Sequence, residues 1–127
     1  EFSLNLEQDL NSKKIYKSIE IVYGLRNFIG NANKFSKSKV FINLKSDNNF
    51  TEITIEDDGD GYPSDILSKI GEPYLKSTDK NSGLGLGLFI GKTLLEKNFA
   101  TVNCWNSQTR SGAEVTIKWK NKDLFNL

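Results

Sequence analysis

Three short stretches of this 127-residue chain carry groups suited to holding charge. On the first, Asn27, Asn31 and Lys34 stand at i, i+4 and i+7, so a helix brings them to one face. An asparagine oxygen is a hard ligand suited to Mg²⁺, which keeps waters and phosphate oxygens in its shell. A lysine one turn on meets phosphate as a point charge. A solvated polar face is the plain alternative. On the second, Asp57-Asp58-Gly59-Asp60-Gly61, Asp57 keeps the parity of Ile53 and Ile55, so its carboxylate points inward. A buried carboxylate needs donors, and the exocyclic amine of adenine is one. Gly59 and Gly61 let the backbone turn and approach a flat ring. A tight acidic turn is the alternative; a calcium loop is disfavoured because no Glu stands twelfth from Asp57 or Asp58. The third stretch, Gly83-Leu84-Gly85-Leu86-Gly87, runs as a loop into an amphipathic helix, whose free N–H groups and positive end receive phosphate. It matches neither the dinucleotide nor the P-loop fingerprint. Three glycines at a helix start cost stability, which tells against a purely structural role. Metal, adenine and polyphosphate together point to a nucleotide.

The elements that must position these groups follow from hydrophobic periodicity. Phe2 to Leu6 alternates as an edge strand, and residues 11–17 form a polar loop. A helix runs from an N-cap at Ser18 to about Ser36, with Ile21, Leu25, Phe28, Ala32 and Phe35 as its apolar stripe. Val40, Ile42 and Leu44 mark a second strand, and Ile53 and Ile55 the buried side of a third. Pro63-Ser64-Asp65 starts a short helix through Ile70, stopped by Gly71, and a loop fills Glu72 to Ser82. A helix from about Leu84 to Lys97 sets Leu86, Phe89, Ile90 and Leu94 on one face. Val102 and Cys104, then Ala113, Val115, Ile117 and Trp119, form a final hairpin that turns near Gln108 to Gly112. The fold class is α+β: a two-layer sandwich with a mixed, mostly antiparallel sheet of about five strands and three helices on one face.

Length allows one domain, residues 1–127. Hydrophobic residues at 37% and charged ones at 26% are an ordinary globular composition rather than a disordered one. A net charge of +1 and the lack of interleaved basic and aromatic residues argue against nucleic acid as a partner. No apolar run is long enough to span a bilayer, and no signal peptide opens the chain. The lone Cys104 excludes an internal disulfide and reads as a small core residue, and Trp105 and Trp119 read as packing. There is no histidine.

The order and spacing of the three stretches resemble the ATP-binding catalytic domain of sensor histidine kinases, in the wider family shared with gyrase, Hsp90 and MutL. Asn27 to Lys34 looks like the N box, Asp57 to Gly61 the first glycine box, and Gly83 to Gly87 the second. Glu72-Pro73-Tyr74 sits where that family has its aromatic box, and the resemblance runs through Trp119. Glu20 to Asn27, Ile70 to Tyr74 and Gly87 to Lys97 look like the RegB/PrrB type of redox-responsive sensor kinase. The resemblance implies the Bergerat ATP-binding fold, with ATP and Mg²⁺ as ligands. It puts Asn31 and Asn27 toward the metal, and Lys34, Asp57, Gly59, Gly61, Tyr74, Gly83, Leu84, Gly85, Leu86 and Gly87 along ATP. Lys76 and Lys80 fall in the ATP lid, where a cation near the phosphates is expected.

It further implies transfer of the γ-phosphoryl group to a histidine on a dimerisation domain of the same parent protein, and indirectly to a response regulator. No certain catalytic residue is assigned in this chain, because that acceptor is absent. The implied setting is the cytoplasmic side of a membrane-bound bacterial sensor. Alternatives are a gyrase-like ATPase, an anti-sigma-factor serine kinase, or a nucleotide-binding regulatory module without transfer activity. The gyrase-like case wants a Glu base where positions 27 and 31 are both Asn. Two positions depart from the family pattern. Phe99 stands where glycine is usual, so Asn98 is expected to take the left-handed helix cap. Ala113 stands where a hydroxyl often supports the adenine-bound acid, so Asp57 is expected to lean more on water.

Overall fold

Alternation of apolar residues gives this chain its sheet, and one face of that sheet takes two long helices. The structure, a computed structural model, describes residues 2–7, 19–68 and 82–124. The elements are β1 (Phe2–Glu7), α1 (Ile19–Phe35), β2 (Val40–Ser46), β3 (Phe50–Asp57), α2 (Ser64–Leu67), α3 (Ser82–Lys97), β4 (Thr101–Asn106), β5 (Ala113–Lys120) and α4 (Asn121–Leu124). The five strands are ordered β1-β2-β3-β5-β4. β1 runs parallel to β2, which requires a crossover connection, and α1 lies in it. The other pairs are antiparallel. The expected mixed, two-layer α+β architecture is what the chain adopts. Ser18 and residues 8–17 lie outside the described residues.

The sheet buries Val40, Ile55, Val102, Val115, Ile117 and Trp119 against Ile21, Phe28 and Ala32 of α1 and Leu88 and Leu95 of α3. On β3 the buried residues are Thr51, Ile55 and Asp57, so the parity that packs the isoleucines carries the acid inward as well. α1 keeps the expected stripe, with Leu25 and Phe35 at its edge. α2 ends at Leu67 with Ser68 as its C-cap, shorter than the sequence suggested. Residues 69–81, including Ile70, Gly71 and all but the last position of the expected 72–82 loop, lie outside the described residues.

α3 departs from expectation in two ways. It begins at Ser82, so Gly83 to Gly87 form its first turns rather than a preceding loop. Its buried face carries Leu88, Gly91 and Leu95, continued by Asn98 just past its end, while Leu86 is 53% and Ile90 37% exposed. The segment is apolar on nearly every side, so periodicity alone could not choose a face. Glycine chose it. A Cβ on Gly24 would stand 2.7 Å from Leu95 Cγ, and one on Gly91 2.8 Å from Phe28 Cε2, so each helix receives a large side chain of the other where it has none.

Two polar devices close the ends. Asn121, at the start of the unforeseen α4, accepts from Thr51 Oγ1 (2.7 Å) and donates Nδ2 to the Asp47 carbonyl (2.7 Å), pinning the C-terminal turn to the β2–β3 hairpin. At the end of α3, Ala100 N–H donates to Leu95 O and Phe99 N–H to Glu96 O, a Schellman cap. The left-handed residue is Phe99, at φ 71°, and not Asn98 as expected. The cap fixes that conformation by position. Asn98 is committed elsewhere: its Nδ2 donates to Leu94 O and Glu20 Oε1, and its carbonyl accepts Trp119 Nε1–H.

A phenylalanine at positive φ carries a steric cost of about 1–2 kcal/mol. Phe99 is 63% exposed and has little packing to lose. Phe99→Gly is therefore expected to stabilise the fold by about 1 kcal/mol, read as a higher urea midpoint with unchanged slope. A lower midpoint would show that the Phe99 ring contributes more than its backbone costs.

Candidate functional site

Where the C-terminal end of β3 meets α1 and the start of β5, the core opens into a cavity of about 170 Å³. Its walls are Phe28, Asn31, Ala32 and Phe35 of α1, Ile55 and Asp57 of β3, the Asp60–Pro63 segment, and Ala113 and Val115 of β5. It is an apolar slot with few polar groups, the usual form of a site for a flat heterocycle. The stripe that builds the core of α1 also floors the cavity.

Asp57 is its main charged group and only 3% exposed. Gly59 N–H (2.8 Å) and Ala113 N–H (3.3 Å) both donate to Oδ1, which leaves Oδ2 uncommitted among the described residues. The Ala113 backbone thus supplies support at the position where a side-chain hydroxyl was missed. Burial pushes the Asp57 carboxyl upward, the two backbone bonds oppose that, and Asp58 and Glu56 add to it. A Cβ on Gly112 would collide with the Asp57 carbonyl, and one on Gly59 with the Phe35 carbonyl. Gly61 sits at φ 84° and lines the cavity. These glycines make room for other parts of the protein, more than for a ring directly.

Asp58 faces the opposite way. It accepts from the backbone N–H groups of Lys37, Ser38 and Lys39 and from Ser38 Oγ, which hold its carboxyl far below the usual range. It ties the glycine turn to the α1–β2 connection.

On α1, Asn31 borders the cavity, and its Nδ2 is buried with no partner among the described residues. Gly87 lies beside it: a Cβ there would stand 3.1 Å from Nδ2. An orphaned buried donor is costly and marks a place where a ligand oxygen would fit. Asn27 spends its Nδ2 on the Tyr23 carbonyl (2.9 Å), leaving its oxygen as the possible ligand. Lys34 is exposed, its ammonium 5.3 Å from the Phe35 ring. The structure therefore gathers Asn31, Asp57 and Gly61 on one cavity, with Asn27 and Lys34 along the same helix and Gly59 bracing the turn. Leu86 points outward and is not part of the described lining. Gly83, Leu84 and Gly85 lie in the first turn of α3, and Tyr74, Lys76 and Lys80 lie outside the described residues.

Sequence reasoning missed Tyr62, Pro63 and Val115 in the lining, and Asn106 behind it. Tyr62 is buried, and its hydroxyl bonds Cys104. Burial pushes the Cys104 thiol up to about 12, so it stays protonated and inert. The core reading of Cys104 holds, as does that of Trp119, whereas Trp105 is 39% exposed and donates to Glu114 across the open face of the sheet. The aromatic directly after Gly61 was the available signal for Tyr62.

Residues 17–123 match the sequence profile of the Histidine kinase-, DNA gyrase B-, and HSP90-like ATPase family. The chain belongs to this family. It is 36% identical over 124 residues to the sensor histidine kinase RegB of Cereibacter sphaeroides, covering 83% of this chain. The chain spans only about a quarter (27%) of that relative's length. Among solved structures, the mycobacterial sensor histidine kinase MprB superposes with a TM-score of 0.73 at 23% identity, covering 94% of this chain and 82% of that one. The catalytic domain of the histidine kinase ThkA gives 0.74 at 18% identity, covering 96% and 82%. These superpositions establish the shared fold of histidine kinase catalytic domains. No helix among the described residues is long and apolar enough to cross a membrane.

The raised Asp57 carboxyl has a consequence for stability. A folded-state pKa above the ordinary 3.8 means that stability is fully present below pH 3.8 and lost as pH rises through the folded value. Asp57→Asn keeps an Oδ1 acceptor for both N–H groups without the buried charge. It is expected to melt higher than wild type at pH 7, with the two curves converging below pH 3.8. Equal melting temperatures at pH 7 would mean that the charged Asp57 costs the fold nothing.

Proposed function

We propose that this chain is the ATP-binding catalytic domain of a sensor histidine kinase, which holds Mg²⁺-ATP while its γ-phosphoryl group passes to a histidine on another domain of the parent protein. The observation that carries this reading is the buried Asp57 with one uncommitted oxygen on an apolar cavity that Asn31 borders. That oxygen would accept the adenine amine. Tyr62, Phe28 and Phe35 would enclose the ring. Phosphates would lie toward α1 and the glycine-rich start of α3, where unpaired N–H groups and the helix dipole favour negative charge. Lys34, Tyr74, Lys76 and Lys80 remain further proposed contacts.

No group of three or more His, Cys, Asp or Glu that could hold a metal exists among the described residues. A divalent cation here would rely on the amide oxygens of Asn31 and Asn27 together with phosphate oxygens, a donor set that suits Mg²⁺. Bound there, the metal would neutralise phosphate charge. The protein's own part is positional: it binds the base, aligns the phosphates and shields them. The chain has no histidine, so in this reading the acceptor would lie elsewhere in the parent protein, and a response regulator would act downstream of it. RegB is named as a sensor histidine kinase, and that likeness supports a two-component setting; a place on the cytoplasmic side of a membrane-bound sensor is a further part of the proposal.

Calorimetry tests the base contact. ATP is expected to bind and GTP, with a carbonyl in place of the amine, to bind poorly; Asp57→Ala should cost about 1.5–3 kcal/mol of ATP affinity. Equal ATP and GTP affinity would sink the assignment. Asn31→Ala is expected to weaken the Mg²⁺-dependent part of ATP binding while metal-free ADP binding stays nearly unchanged. Equal weakening of both would make Asn31 structural. With γ-labelled ATP, the chain alone should form no phosphohistidine, and a helical-hairpin domain bearing the acceptor should become labelled in an acid-labile form. Acid-stable label on this chain would favour a serine kinase instead.

A further inference from the structure

Asn106, the last residue of β4, closes both polar groups of one backbone residue across the site. Its Oδ1 accepts the Tyr62 N–H at 2.6 Å, and its Nδ2 donates to the Tyr62 carbonyl at 3.2 Å. A side-chain amide carries one acceptor and one donor head, so it can substitute for a neighbouring strand. The residue before Tyr62 fits this clamp: a Cβ on Gly61 would stand 2.7 Å from Asn106 Oδ1, and Gly61 holds φ 84°. The chain after Asn106 braces the same region. Ser107 N–H donates to the Gly112 carbonyl (2.7 Å), Ser107 Oγ donates to Glu56 Oε2 (3.0 Å), and Ala113 N–H donates to Asp57. The β4–β5 hairpin thus holds the 56–62 segment at Glu56, Asp57 and Tyr62, and of these contacts the Asn106 one acts on the cavity wall formed by Gly61 and Tyr62.

We propose that Asn106 is a positioning residue for nucleobase binding, fixing the Gly61–Tyr62 wall at its spacing from Asp57 before a base enters. The proposal rests on the nucleotide reading of the cavity. Asn106 does not itself line the cavity; it acts through Tyr62. A wall already held costs no ordering on binding. Without the clamp, the glycine hinge at 61 samples other conformations, and the ordering cost falls on the base and not on the phosphates.

The test titrates wild type and Asn106→Ala with ATP and with tripolyphosphate, well below both melting temperatures. Hydrogen exchange of the Tyr62 amide is read in parallel. Asn106→Ala should bind ATP about tenfold more weakly, bind tripolyphosphate unchanged, and lose Tyr62 protection while the Ile117 amide keeps its own. Faster Tyr62 exchange with unchanged ATP affinity would overturn the proposal, because the clamp would then be structural only. Equal losses for ATP and tripolyphosphate would overturn it too, as general damage to the site. Should Asn106→Ala not fold, Asn106→Ser carries the same comparison. A wild-type chain that prefers ATP over tripolyphosphate no more than the variant does defeats this proposal alone. A wild-type chain that binds tripolyphosphate but gains nothing from the base defeats the nucleotide reading, and this proposal with it.

Discussion

The contact between α1 and α3 sets the geometry on which both core and cavity depend. The helices run antiparallel, meeting as Glu20 with Lys97 and Asn98, Gly24 with Leu95, Phe28 with Gly91, and Asn31 with Gly87. Two of these rungs seat a fully buried side chain, Leu95 or Phe28, where the opposite helix has only a hydrogen. Such an exchange lets the axes approach more closely than two side-chain-bearing surfaces permit. The last rung follows the same geometry with a different outcome. Gly87 leaves room for an amide instead of a hydrocarbon, so the packing that builds the core also holds Asn31 at the cavity edge. A substitution at either buried glycine would shift the core and the site together.

The second constraint is electrostatic accounting in the run from Glu56 to Asp60. Four carboxylates lie within five residues, and three are already committed. Glu56 accepts from Ser107 and lies 3.4 Å from Arg110 Nε, whose guanidinium stacks on Phe41. That arrangement offsets the like-charge pairing of Glu56 directly opposite Glu114, whose carboxyl is pushed upward by burial first and then by Glu56. Asp58 is spent on three backbone N–H groups, and exposed Asp60 faces Lys37 at 3.3 Å. Asp57 is the buried one of the four, and its Oδ2, with no partner among the described residues, borders the apolar cavity. Strand parity and donor bookkeeping select the same residue by independent arguments.

How far the sequence disclosed this depends on what kind of regularity each feature obeys. Asp57 was legible because a period of two admits one inward choice once Ile53 and Ile55 are placed. Asn31 was legible from helical spacing, although its place at the border of the apolar stripe was not. The buried face of α3 was illegible: Leu86, Leu88, Phe89, Ile90, Leu94 and Leu95 surround the axis, and the deciding information sat in Gly24 on another helix. The Phe99 cap was misread for a related reason. Residue preference pointed to Asn98, whereas the Schellman geometry counts from the helix end, and the Asn98 side chain is spent on Leu94 and Glu20. Asn106 and Asn121 act through contacts across 44 and 70 residues, and no local pattern announces those.

The features that cost the fold stability divide by location, and the division bears on function. A buried carboxylate at Asp57, an orphaned amide at Asn31 and glycines in the first turns of α3 each violate a local rule, and Gly87 and Asp57 are joined through Asn31 and the cavity. Natural sequences keep such violations where a ligand offsets them. Phe99 is also strained, yet it caps the far end of α3, away from this cavity, with its ring largely in solvent. Strain alone therefore does not mark a site. The cluster at the β3 end is distinguished by hydrogen-bonding capacity unmet among the described residues: a carboxylate oxygen and an amide donor without partners there border one apolar slot. A ligand with an amine on a flat ring and oxygens some way from it satisfies both at once, which is the chemistry of an adenine nucleotide.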